Sequence, residues 1–113
     1  MNSKNSIVYL YGFSLDNRDK AKSLIKILME QVQLEINIEL ILIHDGVNRT
    51  TIKGVTPKSL VKLLELPIDL YAVITDIKAR GMDPKNLNNK IKAINYGELV
   101  DILANTQKIV SWM

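Results

Sequence analysis

Few side chains in this sequence could do chemistry, and they fall in short stretches. His44-Asp45 sets an imidazole beside a carboxylate, the elements of a general base, and Ser14 is a hydroxyl that such a base could activate. Adjacent side chains at a strand end point to opposite faces, which works against a His44–Asp45 hydrogen bond. The preferred reading is therefore a turn at Asp45-Gly46 with His44 as a rim residue. Asp76 and Arg80 stand four apart, the spacing of an i,i+4 ion pair worth tenths of a kcal/mol. The alternative for Arg80 is to offer its planar fork to an anion or to a partner's carboxylate.

Other templates find less support. The stretch Gly12-Phe13-Ser14 is not a dinucleotide-binding G-x-G-x-x-G, and no P-loop pattern occurs. A phosphate cradle of backbone amides at residues 12–16 would rest on one glycine. A receiver-type phosphorylation site would need an acidic pair after the first strand, where nothing acidic precedes Asp16. There is no cysteine and only one histidine. That excludes disulfides, thiolate zinc sites, a Cys nucleophile and sulfur carried covalently on this chain, and it leaves almost no ligands for a transition metal. Neither a metal nor a cofactor is expected.

These residues need elements to hold them, and the hydrophobic pattern supplies a set. Ile7-Val8-Tyr9-Leu10-Tyr11, ended by Gly12, reads as a buried strand. From residue 16 to about 33, Ala21, Leu24, Ile25, Leu28 and Val32 recur at helical spacing with Lys20, Lys22, Lys26 and Glu30 between, and Ser14 or Asp16 is the expected cap. Residues 36–43 form a second strand, half exposed at its start and buried at its end. Residues 47–55 are ambiguous between loop and extended chain. Thr56 and Pro57 suit the cap and first position of a helix carrying Leu60, Val61, Leu63 and Leu64, which Pro67 stops. A third strand at 68–74, a short helix capped by Thr75 or Asp76 and ended by Gly81, and a loop at 82–90 come next. A fourth strand at 91–94, a helix opened by Asn95 or Tyr96 and a last strand at 108–112 complete the chain.

The alternation predicts a three-layer α/β/α fold, flavodoxin- or Rossmann-like, with about five mainly parallel strands and one domain over residues 1–113. Ligands of such sheets sit at the carboxyl ends of the strands, which here would gather residues 12–16, 44–49, 75–81 and 95–97. Composition agrees with a folded chain: 113 residues, 47% hydrophobic and 24% charged, with 5 Gly and 3 Pro. No apolar run approaches the roughly 20 residues of a membrane span, and the start lacks a signal-peptide pattern, so a cytoplasmic protein is expected. Fifteen Lys+Arg against 12 Asp+Glu leave a net +3. Spread along the chain that is a weak field, and the lysines at 20, 22 and 26, at 58 and 62, and at 90 and 92 read as solvated faces. An anionic partner is the lesser reading. No aromatics interleave with them, so direct nucleic-acid binding is not favoured.

Three stretches, in register, resemble the DsrH/TusB family. Leu70-Tyr71-Ala72-Val73-Ile74-Thr75-Asp76-Ile77-Lys78-Ala79-Arg80-Gly81 is similar to that family's "vYAL-x-x-D-x-x-ARG" signature. Leu40-Ile41-Leu42-Ile43-His44-Asp45-Gly46-Val47 resembles its apolar strand followed by "DGV". Ile94-Asn95-Tyr96-Gly97-Glu98-Leu99-Val100, followed later by Trp112, resembles its "i-d-Y-x-x-f-V" helix start and closing Trp. The resemblance covers residues from about 40 to 113, whereas the first 35 match in pattern only. It implies a subunit of a DsrE/DsrF/DsrH (TusD/TusC/TusB) sulfur relay, a heterohexamer of two heterotrimers in which a DsrE/TusD-type cysteine carries persulfide. The destination is tRNA 2-thiouridine in one branch and sulfur oxidation in another. A chain without thiol cannot be the carrier, since persulfide exchange needs a thiolate. The implied role is a non-catalytic partner of DsrE/TusD-like and DsrF/TusC-like chains, or a homo-oligomer when isolated. Asp45, Gly46, Tyr71, Asp76, Arg80, Gly81, Tyr96 and Trp112 then read as family-motif or interface positions, and Tyr71, Ile77, Met82 and Trp112 as candidates to pack on a partner. The alternative is a stand-alone homo-oligomeric domain binding an anion or nucleotide in the crevice.

Overall fold

The computed structural model describes residues 6–113. Five strands, β1 (Ser6–Tyr11), β2 (Asn37–Leu42), β3 (Asp69–Val73), β4 (Ile91–Ile94) and β5 (Lys108–Trp112), pair in parallel in the order β4-β3-β2-β1-β5. Four helices connect them: α1 (Arg18–Gln33), α2 (Lys58–Glu65), α3 (Ile74–Ala79) and α4 (Tyr96–Ala104). The expected α/β/α architecture is the observed one.

Strand order decides which layer each helix joins. The chain steps one way from β1 to β4 and then returns past β1 to β5. Right-handed crossovers therefore send α4 to the face opposite α1, α2 and α3. The core follows this division. Tyr9, Tyr11, Leu40, Leu42 and Leu70 meet Leu24, Leu28, Leu60, Leu63 and Ile77 on one face. On the other, Val8, Ile41, Val73 and Ile94 meet Leu99, Ile102 and Leu103 of α4. The second face has one nine-residue helix over it, and it is the thinner layer.

Helix starts differ from expectation in three places, each for a local reason. The cap of α1 is Asn17, not Ser14 or Asp16, because Asn17 stands directly before the first helical residue and its side chain accepts from the Lys20 N–H three residues on, while the Ser14 hydroxyl accepts from the Asp16 N–H. Pro57, not Thr56, caps α2, and it makes no side-chain cap hydrogen bond. Helix α3 follows β3 directly, so it starts at Ile74 with Val73 as an extended cap and uses neither Thr75 nor Asp76. The α4 start is as expected and fully built: Asn95 accepts from the Glu98 N–H, and Glu98 accepts from the Asn95 N–H. The ambiguous stretch at 47–55 begins at the end of a 3-10 turn, at Val47, and is otherwise a loop held by an isolated antiparallel bridge from Thr51 to Leu87. Among the described residues no helix is long and apolar enough to cross a membrane.

Candidate functional site

The carboxyl ends of β1, β2 and β3 bring the motif residues together. Ile43 leaves β2 by donating its N–H to the Tyr11 carbonyl at 3.0 Å, and the chain then turns through a 3-10 helix at His44–Val47. Gly46 lies against the same Tyr11 carbonyl. A Cβ there would stand 2.3 Å from that oxygen, so the turn can approach β1 only with glycine. Val47 then drops into the core, fully buried. In this way Asp45-Gly46-Val47 joins the two central strands.

Helix α3 braces the turn from the other side. His44 has a φ of +49°, in the left-handed region, and its N–H donates to Asp76 Oδ2 at 2.9 Å. The carboxylate therefore holds a conformation that costs a non-glycine residue about 1–2 kcal/mol. Arg80 does not form the expected i,i+4 pair with the Asp76 carboxylate. Its Nε and Nη2 both donate to Asp45 Oδ1, at 3.3 and 3.0 Å, and its Nη1 donates to the Asp76 carbonyl. The reason is geometric: Asp76 faces back to the turn, and Asp45 stands in front of Arg80. Gly81, at φ +74°, ends the helix in the left-handed conformation. Asp45, Asp76, Arg80 and Gly81 thus act as a strut between two loops.

Nucleophilic chemistry finds no assembly here. Ser14 Oγ accepts from the Asp16 N–H, and His44 stands with its ring near Gly12, the Cδ2 atom 3.4 Å from where a Cβ would be. No hydrogen bond links Ser14, His44 and Asp45 to one another among the described residues. The topological switch point, between β1 and β5, is where a ligand of this kind of sheet would sit. The chain's own residues lie beside that spot. Gly12 donates to the Trp112 carbonyl at 2.8 Å, and the exposed Met113 and His44 side chains stand next to it. Among the described residues there is no cluster of three or more His, Asp or Glu able to hold a metal.

The remaining candidates divide between core and surface. Ile77 is fully buried under α3, so it cannot pack on a partner, and buried Gly46 serves the turn. Trp112 is half-buried, its ring 6.1 Å from that of Tyr11. Met82 is also half-buried and lines a small groove with Thr51, Lys53 and Gly81. Tyr71 lies on the α4 face, where its hydroxyl donates to Glu39 Oε2 at 3.1 Å. Burial first, then the Glu39 charge and hydrogen bond and the Asp69 charge, push its pKa up to about 12. Tyr96 opens α4 and is 69% exposed.

Cations that are scattered along the chain are assembled in space. Arg18 and Lys22 of α1, Lys58 and Lys62 of α2, and Arg49 of the intervening loop line a groove of about 600 Å³. The signal in the sequence was the i,i+4 spacing within each pair, which sets both cations on one side of a helix. That the two sides face each other depends on how α1 packs on α2.

Comparison with known proteins gives a consistent picture. The family model described as "DsrH like protein" matches residues 17–109. The Protein TusB of Serratia proteamaculans (strain 568) is 33% identical over 75 residues, which is 66% of this chain and 74% of that protein. Among solved structures, the ychN protein from E. coli superposes with a TM-score of 0.78 at 15% identity, covering 96% of this chain and 99% of that one. A conserved protein of unknown function, BT1422 from Bacteroides thetaiotaomicron, gives 0.77 at 20% identity over 99% and 98%. At such identities the structural likeness concerns the fold alone.

Proposed function

Because the chain belongs to the DsrH-like family, we propose that it is a cysteine-free, non-catalytic subunit of a cytoplasmic sulfur relay. In this reading a homologous DsrE/TusD-type chain carries the persulfide, a DsrF/TusC-type chain completes the trimer, and this chain holds them in place. The carrying observation is a family fold on a chain without a single thiol. Sulfur transfer through persulfides needs a thiolate at each station, so the chain serves the relay by contact. The thin layer supports this. Tyr96 and Val100 of α4 and Ile109 of β5 are 69%, 50% and 46% exposed on the face that α4 covers alone, an apolar surface suited to a homologous subunit. The strut of Asp45, Asp76 and Arg80 belongs to the opposite layer and would keep the loops at the carboxyl ends of β2 and β3 in shape. The relayed sulfur would feed tRNA 2-thiouridine synthesis or sulfur oxidation.

The rival, nucleotide binding in the crevice, is disfavoured by His44 and Met113 standing beside Gly12. Co-expression with DsrE- and DsrF-like chains of the same source tests the proposal. A stable complex is expected, and a Val100→Glu/Ile109→Glu variant that stays folded should leave it. Labelled persulfide transfer between the other two chains should slow when this chain is omitted. If neither chain co-purifies and transfer is unchanged, the reading fails.

A further inference from the structure

The groove between α1 and α2 has a charge that the whole-chain total hides. Five of the chain's 15 cations and one of its 12 acidic residues, Asp16, line it. It therefore holds a net +4, while the rest of the chain, with ten cations and eleven acids, is one charge negative. Asp16 approaches Arg49 at 3.9 Å, and Arg18, Lys22, Lys58 and Lys62 have no ion pair among the described residues.

Local stability alone does not account for this arrangement. Arg18 and Lys22, and Lys58 and Lys62, are like charges at i,i+4, each pair unfavourable by about 0.2–0.5 kcal/mol. Arg18 and Lys58 are the first residues of their helices, where the macrodipole favours anions, and α2 has neither an acidic residue in its first turn nor a side-chain cap. Arg49 adds a further cation from a left-handed backbone, φ +70°. Several local preferences are overruled in one place, and the result is a concentrated positive potential. Such conflicts are expected where a surface has work to do beyond folding.

Between the two cationic walls the floor is aliphatic. Ala21 and Ile25 of α1 and Leu15 form it, and Val55, 81% exposed, stands at its edge. Among the described residues no aromatic side chain lines the groove, so stacked bases would find no platform. We propose that this groove docks an acidic protein segment, its carboxylates on Arg18 and Lys22 on one side and Lys58 and Lys62 on the other, its apolar side chains on Ile25 and Val55. Charge complementarity selects the acidic class, and the aliphatic floor selects a polypeptide over a nucleic acid. The surface is separate from the α4 face, so this inference stands or falls independently of the relay assembly.

Fluorescence anisotropy on the full chain tests it. The probe is a labelled peptide with leucines at every third or fourth position and glutamates between. Companion peptides carry glutamine for glutamate or serine for leucine, and the competitor is a single-stranded RNA of equal length. Binding of the first peptide is expected to weaken at least about ten-fold in Lys22→Glu/Lys62→Glu, and to weaken as salt shortens the Debye length from about 30 to about 8 Å. Either companion peptide should also bind at least about ten-fold more weakly. Lys108→Glu, on β5, serves as the charge control and should bind as the parent does. Thermal unfolding of each variant confirms that it is folded. The proposal is overturned if the groove variant binds the acidic peptide as the parent does. It is overturned equally if the glutamine or serine peptide binds as well as the first, or if the RNA binds more tightly.

Discussion

Replacing Gly46 by alanine tests why Asp45-Gly46-Val47 has the form it does. The added Cβ would lie 2.3 Å from the Tyr11 carbonyl oxygen, about 1 Å inside ordinary contact. That oxygen belongs to the backbone of the sheet and accepts the Ile43 N–H at 3.0 Å, so it cannot swing aside as a side chain would. Overpacking of this kind costs about 1–3 kcal/mol. Lengthening the Ile43 hydrogen bond adds about 1 kcal/mol, and the lower entropy of the unfolded alanine chain returns about 0.4–1 kcal/mol. The expected net loss is about 1–3.5 kcal/mol, a substantial part of a domain's usual 5–15 kcal/mol. At this size the midpoint of thermal unfolding should fall by about 4–17 °C. Urea denaturation followed by circular dichroism measures the loss directly, as a lower midpoint at unchanged slope. Gly54→Ala is the matched control: its φ is +80° with nothing near the new Cβ, so only backbone strain of about 1–2 kcal/mol applies. If Gly46→Ala equals the parent in stability while Gly54→Ala does not, the close approach to Tyr11 is not what demands glycine in the turn.

Two further expectations concern buried or half-buried tyrosines. Tyr11 is fully buried and its hydroxyl has no hydrogen-bond partner among the described residues, so Tyr11→Phe should stabilise the protein by about 1 kcal/mol, read by urea denaturation; a loss instead would mean the hydroxyl is satisfied. Tyr71 keeps its proton up to about pH 12 when folded but ionises near 10.0 when unfolded. The unfolded chain is the first to lose that proton, so stability from this group is whole below pH 10 and declines as pH rises toward 12. Phenolate absorbance against pH should show Tyr71 as a late-titrating group, and Glu39→Gln should move its pKa down; a pKa unmoved by that change would sink the assigned cause.

The element order, all five strands to within a residue of their ends and the Asn95 start of α4 were legible in the sequence, because periodicity and caps depend on neighbours within a turn or two. Other helix starts were less so. Whether Ser14 or Asn17 caps α1 depends on which amide each side chain reaches, and the direct passage from β3 into α3 leaves no room for the cap that Thr75 or Asp76 suggested. The motif residues were visible as residues, but their use was not. An i,i+4 spacing predicts that Asp76 binds Arg80, yet both reach across to residues 44 and 45 instead.

By its composition alone the sequence determined that this protein cannot carry sulfur on a thiol, and by its short-range pattern that it folds as alternating strands and helices. Those properties belong to each residue and its near neighbours. Tertiary structure decided the partners of Asp45 and Arg80, the thin layer under α4, and the gathering of a net +3 into a net +4 on one groove. The reason is that Coulomb energy and packing depend on distance in space. Lys22 and Lys62, 40 residues apart in the chain, line the same groove only because α1 and α2 pack side by side on one face of the sheet.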